Sequence, residues 1–190
     1  MSRLGFTGRL AVWSARHRYG VLMSWMAGLS VAILLAAIVA WIFGAVYYGL
    51  LGKFWLAAQG KTMESMKLEN AGKSALANAA PFILSFVAEI LMAWALYGVL
   101  THMGMFAFRA GMIAGALCWL GFVLTTVAVN NAFSGRRPML TLIDAGHWLG
   151  VLVIIGAILA SLAYVWFLVL TAPIGYEDED GFHLGDHEDD

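Results

Sequence analysis

Three long stretches of this chain contain no Asp, Glu, Lys or Arg: Tyr19 to Gly52, Ala110 to Gly135 and Ala145 to Tyr176. A fourth, Ser74 to Phe108, is interrupted only by Glu89. A helix rising 1.5 Å per residue needs about 20 residues to cross a hydrocarbon core of about 30 Å, and each window is longer than that. The whole chain is 62% hydrophobic and 12% charged, against roughly a quarter charged in soluble domains. The pattern predicts an all-α integral membrane protein, a four-helix bundle. Its spans are expected at about Met26–Leu51, Pro81–Leu100, Gly111–Asn130 and His147–Thr171. These form a single transmembrane domain over residues 26–172, between a basic N-terminal segment (1–25) and an acidic tail (173–190).

The leader MSRLGFTGRLAVWSARHRYG carries charges as far as Arg18 and has no short apolar core ending in a small-residue cleavage site, so it reads as retained rather than as a signal peptide. Arg9, Arg16 and Arg18 alternate with Leu10, Val12, Trp13 and Tyr19, the composition of a short amphipathic helix on the membrane surface. A disordered leader is the alternative, and a start at Met23 or Met26 is a third. Eight of the twelve acids lie in the tail YEDEDGFHLGDHEDD, which has no Lys or Arg. It is expected to be solvated and disordered, the other reading being a weak divalent-metal collector with His183 and His187.

Lys and Arg do not decide the orientation. Arg3, Arg9, Arg16, Arg18 and Arg109 fall on one side, and Lys53, Lys61, Lys67, Lys73, Arg136 and Arg137 on the other. Small residues recur every four positions: Ala32, Ala36, Ala40 and Gly44 in the first span, Gly111 and Gly115 in the third, Gly146 and Gly150 in the fourth. In lipid this spacing lets helix backbones approach closely, and packing within one bundle is the expected use. Cys118 is the one cysteine and has no partner for an intramolecular disulfide.

Polar residues collect where up-down threading brings span ends to one membrane face. The candidate polar site comprises Tyr47 and Lys53 from the end of span one, Thr125, Thr126 and Asn130 from span three, and Asp144 and His147 from the start of span four. Thr126 and Asn130 are i,i+4 neighbours and Asp144 and His147 are i,i+3 neighbours, so each pair shares a helix face. Each residue also has a structural reading. Asp144 pairs with Arg137 or Lys53, His147 packs as a hydrogen-bonded side chain, and the threonines and Asn130 bond between helices. Tyr47, Tyr48, Trp55 and Trp148 anchor at the interface. Glu89 stands apart, near the middle of span two, where an ionised acid costs at least about 2.5 kcal/mol. It is expected to face the bundle, either protonated or paired through water with a polar residue of another span.

Neither an HExxH, paired aspartates, a phosphate-binding glycine loop nor a nucleophile beside a base occurs, so the chain is read as not an enzyme and without a metal or other cofactor. Basic residues scattered among loops do not support nucleic-acid binding. Membrane lipids are the expected partners, together with a second copy or another membrane protein.

The segment YYGLLGKFW, Tyr47 to Trp55, resembles the W-Y-x-x-L-F-G-K-x-W turn of the small bacterial membrane proteins grouped as family DUF1761, with Tyr47 where that family often has Trp. GFVLTTVAVNNAFSGRRPMLTLIDAGHWLG, Gly121 to Gly150, is similar to its G-F-x-x-T-T, N-x-x-F-x-x-R and I-D-A-G-[YH] block. The likeness runs from about Gly44 to Ala160. It implies a four-span fold in the bacterial cytoplasmic membrane, with the loops Gly52–Ala80 and Asn131–Pro138 inside and both termini outside, but no activity. The expected function is a non-catalytic membrane scaffold, assembly factor or small complex subunit. The alternative is a small channel or proton-linked carrier using Glu89 and the Asp144/His147 cluster.

Overall fold

The structure, a computed structural model, describes residues 18–104, 106–171, 175–178 and 181–184. The basic leader before Arg18 lies outside them, as do residues 179–180 and 185–190 of the tail. The described elements are α1 (Arg18–Ala58), α2 (Met63–Ala71), α3 (Ala75–His102), α4 (Phe108–Cys118), a π-helical stretch (Trp119–Leu124), α5 (Thr125–Phe133) and α6 (Pro138–Thr171), then strands β1 (Gly175–Asp178) and β2 (Gly181–Leu184). Four helices are long and apolar enough to cross a membrane: Met26–Ala58, Ala75–His102, Phe108–Phe133 and Pro138–Val169. Their outer surfaces are apolar as well. Ile42, Leu91, Phe122 and Leu142 are all exposed, the pattern of helices that meet lipid.

Two helix starts lie earlier than the apolar windows suggest. Ser74 caps α3 by accepting from the Ala77 N–H, so Pro81, expected at the start of the span, falls inside the helix. A proline there is tolerated where neighbouring groups re-satisfy the backbone. In α6, Pro138 takes the first-turn position that its fixed φ and missing N–H favour. Asp144 is thereby about two turns into the helix, with His147 one turn further on. Between α1 and α3, Thr62 and Ser65 form a capping box at the head of α2. In the same loop Lys61 Nζ lies 2.7 Å from Glu69 Oε2. That bond holds the exposed Glu69 carboxyl below the usual carboxylate range.

The chain divides into two compact units, residues 32–164 and residues 1–31 with 165–190. In the smaller unit β1 and β2 pair antiparallel, with Gly175 opposite Leu184 and Asp178 opposite Gly181. This part of the tail was expected to be disordered. The acids that suggested disorder are interleaved with Tyr176, Phe182 and Leu184, which suit a strand.

The larger unit holds the core. Ala36, Ala37 and Ala40 of α1, Ala93, Leu96 and Leu100 of α3, Ala114 of α4 and Val151, Leu152, Ile155, Leu159 and Ala160 of α6 are buried. Glu89 belongs to the same inward stripe of α3, four residues before Ala93. The small residues pack within the chain. A Cβ on Gly111 would overlap the Gly156 carbonyl, and one on Gly115 would overlap the Leu152 carbonyl. Gly146 and Gly150 make room for α1 instead, their faces lying against Tyr47 and Phe43.

Candidate functional site

The polar residues near the loop end of α6 are held by α1. Phe43, Gly44, Tyr47, Tyr48 and Trp55 recur at helical spacing and form one face of that helix. Tyr48 donates its hydroxyl to Asp144 Oδ1 at 3.0 Å, and the Trp55 indole Nε1 donates to the same oxygen at 2.9 Å. Tyr47 crosses α6 beside Gly146 and donates to the Ile143 carbonyl at 3.0 Å. From the third span, Trp119 Nε1 donates to the Ala145 carbonyl at 2.7 Å. Four aromatic hydrogen bonds thus grip three consecutive residues of α6, Ile143 to Ala145, less than one turn.

His147 is buried within this grip. Its ring stacks on Phe43, the centroids 6.2 Å apart and the planes 11° from parallel. It also meets Tyr47 at 5.6 Å, Tyr48 at 4.9 Å and Trp148 at 4.9 Å. The imidazole fits because residue 44 is glycine: a Cβ there would lie 2.7 Å from His147 Nε2. Gly44→Ala should therefore displace the ring and lower the melting temperature in detergent by a few degrees, an overpacking cost of about 1 kcal/mol. An unchanged melting temperature would show that the ring is not confined there.

The other expected members of the site behave differently. Lys53 is exposed. No cation lies within ion-pairing distance of Asp144 among the described residues, where the one ion pair is Lys61 with Glu69. The pairing of Asp144 with Lys53 or Arg137 is therefore replaced by two neutral donors. Arg137 instead donates Nη1 to the Ala57 carbonyl at 2.9 Å, tying the third loop to the end of α1. Thr125 and Thr126 are exposed, and their hydroxyls bond back to Gly121 and Phe122 carbonyls of their own helix, the usual option for a threonine within a helix. Asn130 is exposed. The link between span three and α6 is made by its neighbour Asn131, whose Nδ2 donates to Thr141 Oγ1 at 3.1 Å.

Tyr48, Trp55, Trp119 and Asn131 were thus the partners that sequence reasoning passed over or took as interfacial anchors. The available signal was that a Tyr or Trp turned into a bundle needs an acceptor for its polar tip. No three His, Cys, Asp or Glu side chains gather as a metal site among the described residues. An open apolar groove of about 170 Å³ lies elsewhere, between Val99, Met103, Ala114, Leu117, Cys118 and Phe122.

A four-helix, multi-pass membrane fold with an aromatic clasp closed on one aspartate is the class that these features define. The chain belongs to the family described as protein of unknown function DUF1761, whose pattern matches residues 31–160. That match starts thirteen residues before Gly44 and so takes in most of span one, while the leader and tail lie outside it. No curated protein and no solved structure matches the chain.

Proposed function

We propose that the protein is a non-catalytic scaffold, assembly factor or small subunit of a complex in the bacterial cytoplasmic membrane. One observation supports this above the others: Asp144, the most polar residue of the expected site, has its Oδ1 occupied by Tyr48 and Trp55. Bonds of this kind between membrane helices contribute about 0.6–1.7 kcal/mol each, and here they join α1 to α6. The chemistry of the site is directed at its own helices. What it offers outward is apolar helix surface, suited to lipid or to another membrane protein.

Purification in mild detergent, followed by identification of what accompanies the chain, tests this reading. A protein partner recovered reproducibly, or a defined homo-oligomer, is the expected result. A monomer that retains a stoichiometric small solute would overturn it in favour of a carrier.

The family likeness further supports an orientation with the α1–α3 loop and the Arg136–Arg137 loop in the cytoplasm. In a Cys118→Ser background, Ser65→Cys should resist a membrane-impermeant thiol reagent in intact cells and Met103→Cys should react. The opposite labelling pattern would reverse the orientation without disturbing the four spans.

A further inference from the structure

The clasp closes around a side chain that takes no part in its hydrogen bonds. His147 is 5% exposed, and its Nδ1 is buried without a hydrogen-bond partner. Nε2 points at the backbone of α1, where a Cβ on Gly44 would lie 2.7 Å from it. Phe43, Tyr47, Tyr48 and Trp148 pack their rings around the imidazole, with centroids 4.9 to 6.2 Å away.

These surroundings suit a neutral imidazole and not an imidazolium. Protonation makes both nitrogens donors and adds a charge, and nothing in the grip answers either. Lys61 with Glu69 is the one ion pair among the described residues, so the Asp144 carboxylate is not within ion-pairing distance of the ring. Its Oδ1 already accepts from Tyr48 and Trp55. A ring face attracts a cation within roughly 6 Å of its centroid, and Phe43, the one ring nearly parallel to the imidazole, lies at that limit. A buried charge without a partner costs more than one such contact returns.

The ring cannot leave alone. Tyr47 touches it and donates to the Ile143 carbonyl, and Tyr48 touches it and donates to Asp144. An imidazole that turns out toward water displaces both tyrosines, and with them two of the bonds that join α1 to α6.

We propose that His147 is an acid-operated latch of the α1–α6 clasp: the closed clasp holds the neutral ring, and a proton is taken up only when the clasp opens and the ring reaches water. Because the open form binds the proton, closure weakens as pH falls below about 6.5, where a free imidazole titrates. The open-to-closed ratio then rises by up to about tenfold for each further pH unit. The latch depends on the clasp alone, whatever partner the protein assembles with.

Asp144, three residues earlier on α6, is the other group whose protonation would weaken the clasp, and a variant separates the two. Tyr47 and Tyr48 of α1 stay phenols in acid, and Cys118 of the third span stays a thiol; Lys53 and Arg137 keep their charge. Glu89 of α3 lies further off. Trp41 Nε1 donates to Ser85 Oγ at 3.2 Å, which sets Glu89, one turn on, at the level of Ala37, about 10 Å along α1 from Gly44.

The test uses the full chain with Cys118→Ser, Lys53→Cys and Met139→Cys, spin-labelled at the two new cysteines near the loop ends of α1 and α6, in phosphatidylcholine nanodiscs. Electron–electron distances are recorded on both sides of the free-imidazole midpoint of about pH 6.5. One distance is expected at the alkaline end, and a longer one should grow in acid. His147→Phe, which keeps a ring but cannot take a proton, should hold the single distance throughout, with His147→Gln as the second variant should the phenylalanine not fold. Asp144→Asn should retain the acid response. A wild-type distance that ignores pH, an acid response that survives in a folded His147 variant or is lost in Asp144→Asn, or a clasp open at every pH in both His147 variants would overturn the proposal.

Discussion

A Gly111→Ala protein should melt on the order of 5–10 °C below wild type in detergent, and Gly115→Ala should behave the same way. A Cβ at residue 111 overlaps the Gly156 carbonyl and comes within 2.6 Å of the Ala160 Cβ. At residue 115 it overlaps the Leu152 carbonyl. These obstacles are backbone, which no side-chain rotation can clear, so α4 and α6 must separate along their contact. Overpacking of this kind costs about 1–3 kcal/mol or more, and each kcal/mol moves the melting temperature by about 2–4 °C in a chain of this size. Gly98→Ala is the control, since nothing lies within 4 Å of its Cβ position. Alanine is there the better helix former by up to about 1 kcal/mol, so the control should be neutral or slightly stabilised. Equal melting temperatures for Gly111→Ala and Gly98→Ala would mean that the two helices are not in backbone contact.

The second large effect concerns Asp144. Asp144→Leu leaves the Tyr48 hydroxyl and the Trp55 indole N–H without their acceptor, at about 1–3 kcal/mol for each donor that stays buried. Removal of a carboxylate from the span offsets part of that. Asp144→Asn should be milder, because an amide Oδ1 accepts both bonds and only the charge is lost. A double-mutant cycle isolates the contact: Tyr48→Phe with Asp144→Leu should show a coupling of about 0.6–1.7 kcal/mol. Arg137→Ala with Asp144→Leu should be additive, since Arg137 bonds the Ala57 carbonyl instead. Coupling to Arg137 and none to Tyr48 would restore the ion-pair arrangement and remove the clasp.

The spans were legible because a bilayer imposes one demand that a sequence must meet openly, some twenty residues without a charge. The inward stripe of α3 was legible at Glu89 for a related reason, since an acid in that position has only the bundle to face. The partners of Asp144 were less legible. Tyr48 and Trp55 fall where aromatic residues also sit at a membrane interface, and one side chain serves both purposes without any change in spacing. Lys53 and Arg137 attracted the pairing argument by charge alone, but charges at a helix end can turn outward, and Lys53 is exposed. Thr125 and Thr126 failed as site residues through a local competition: their hydroxyls reach their own helix before another.

Asn130 and Asn131 were misjudged for a reason of phase. At 3.6 residues per turn each residue advances about 100°. An uninterrupted helix would set Asn130 about 60° from Gly115 and Asn131 about 160° away, facing lipid. The π-helical stretch Trp119–Leu124 holds one residue more than an α-helix of the same rise, as such bulges do. Everything after it is turned back by about 100°. Asn131 then lies about 60° from Gly115, on the flank where Trp119 already meets α6, and Asn130 swings to the opposite flank.

That wide turn has a genetic corollary. A codon deleted anywhere between Trp119 and Leu124 would yield a more regular helix with better local hydrogen bonding, and Asn131, then fifteen residues from Gly115, would keep its angle of about 60° and its reach to Thr141. Codons lost between His102 and Phe108 or between Phe133 and Pro138 would only shorten a loop. Reading frames descended from this one are therefore expected to tolerate the loss of one codon from this apolar stretch, whereas a codon lost between Thr125 and Val129 would turn Asn131 by about 100° and break its bond to Thr141.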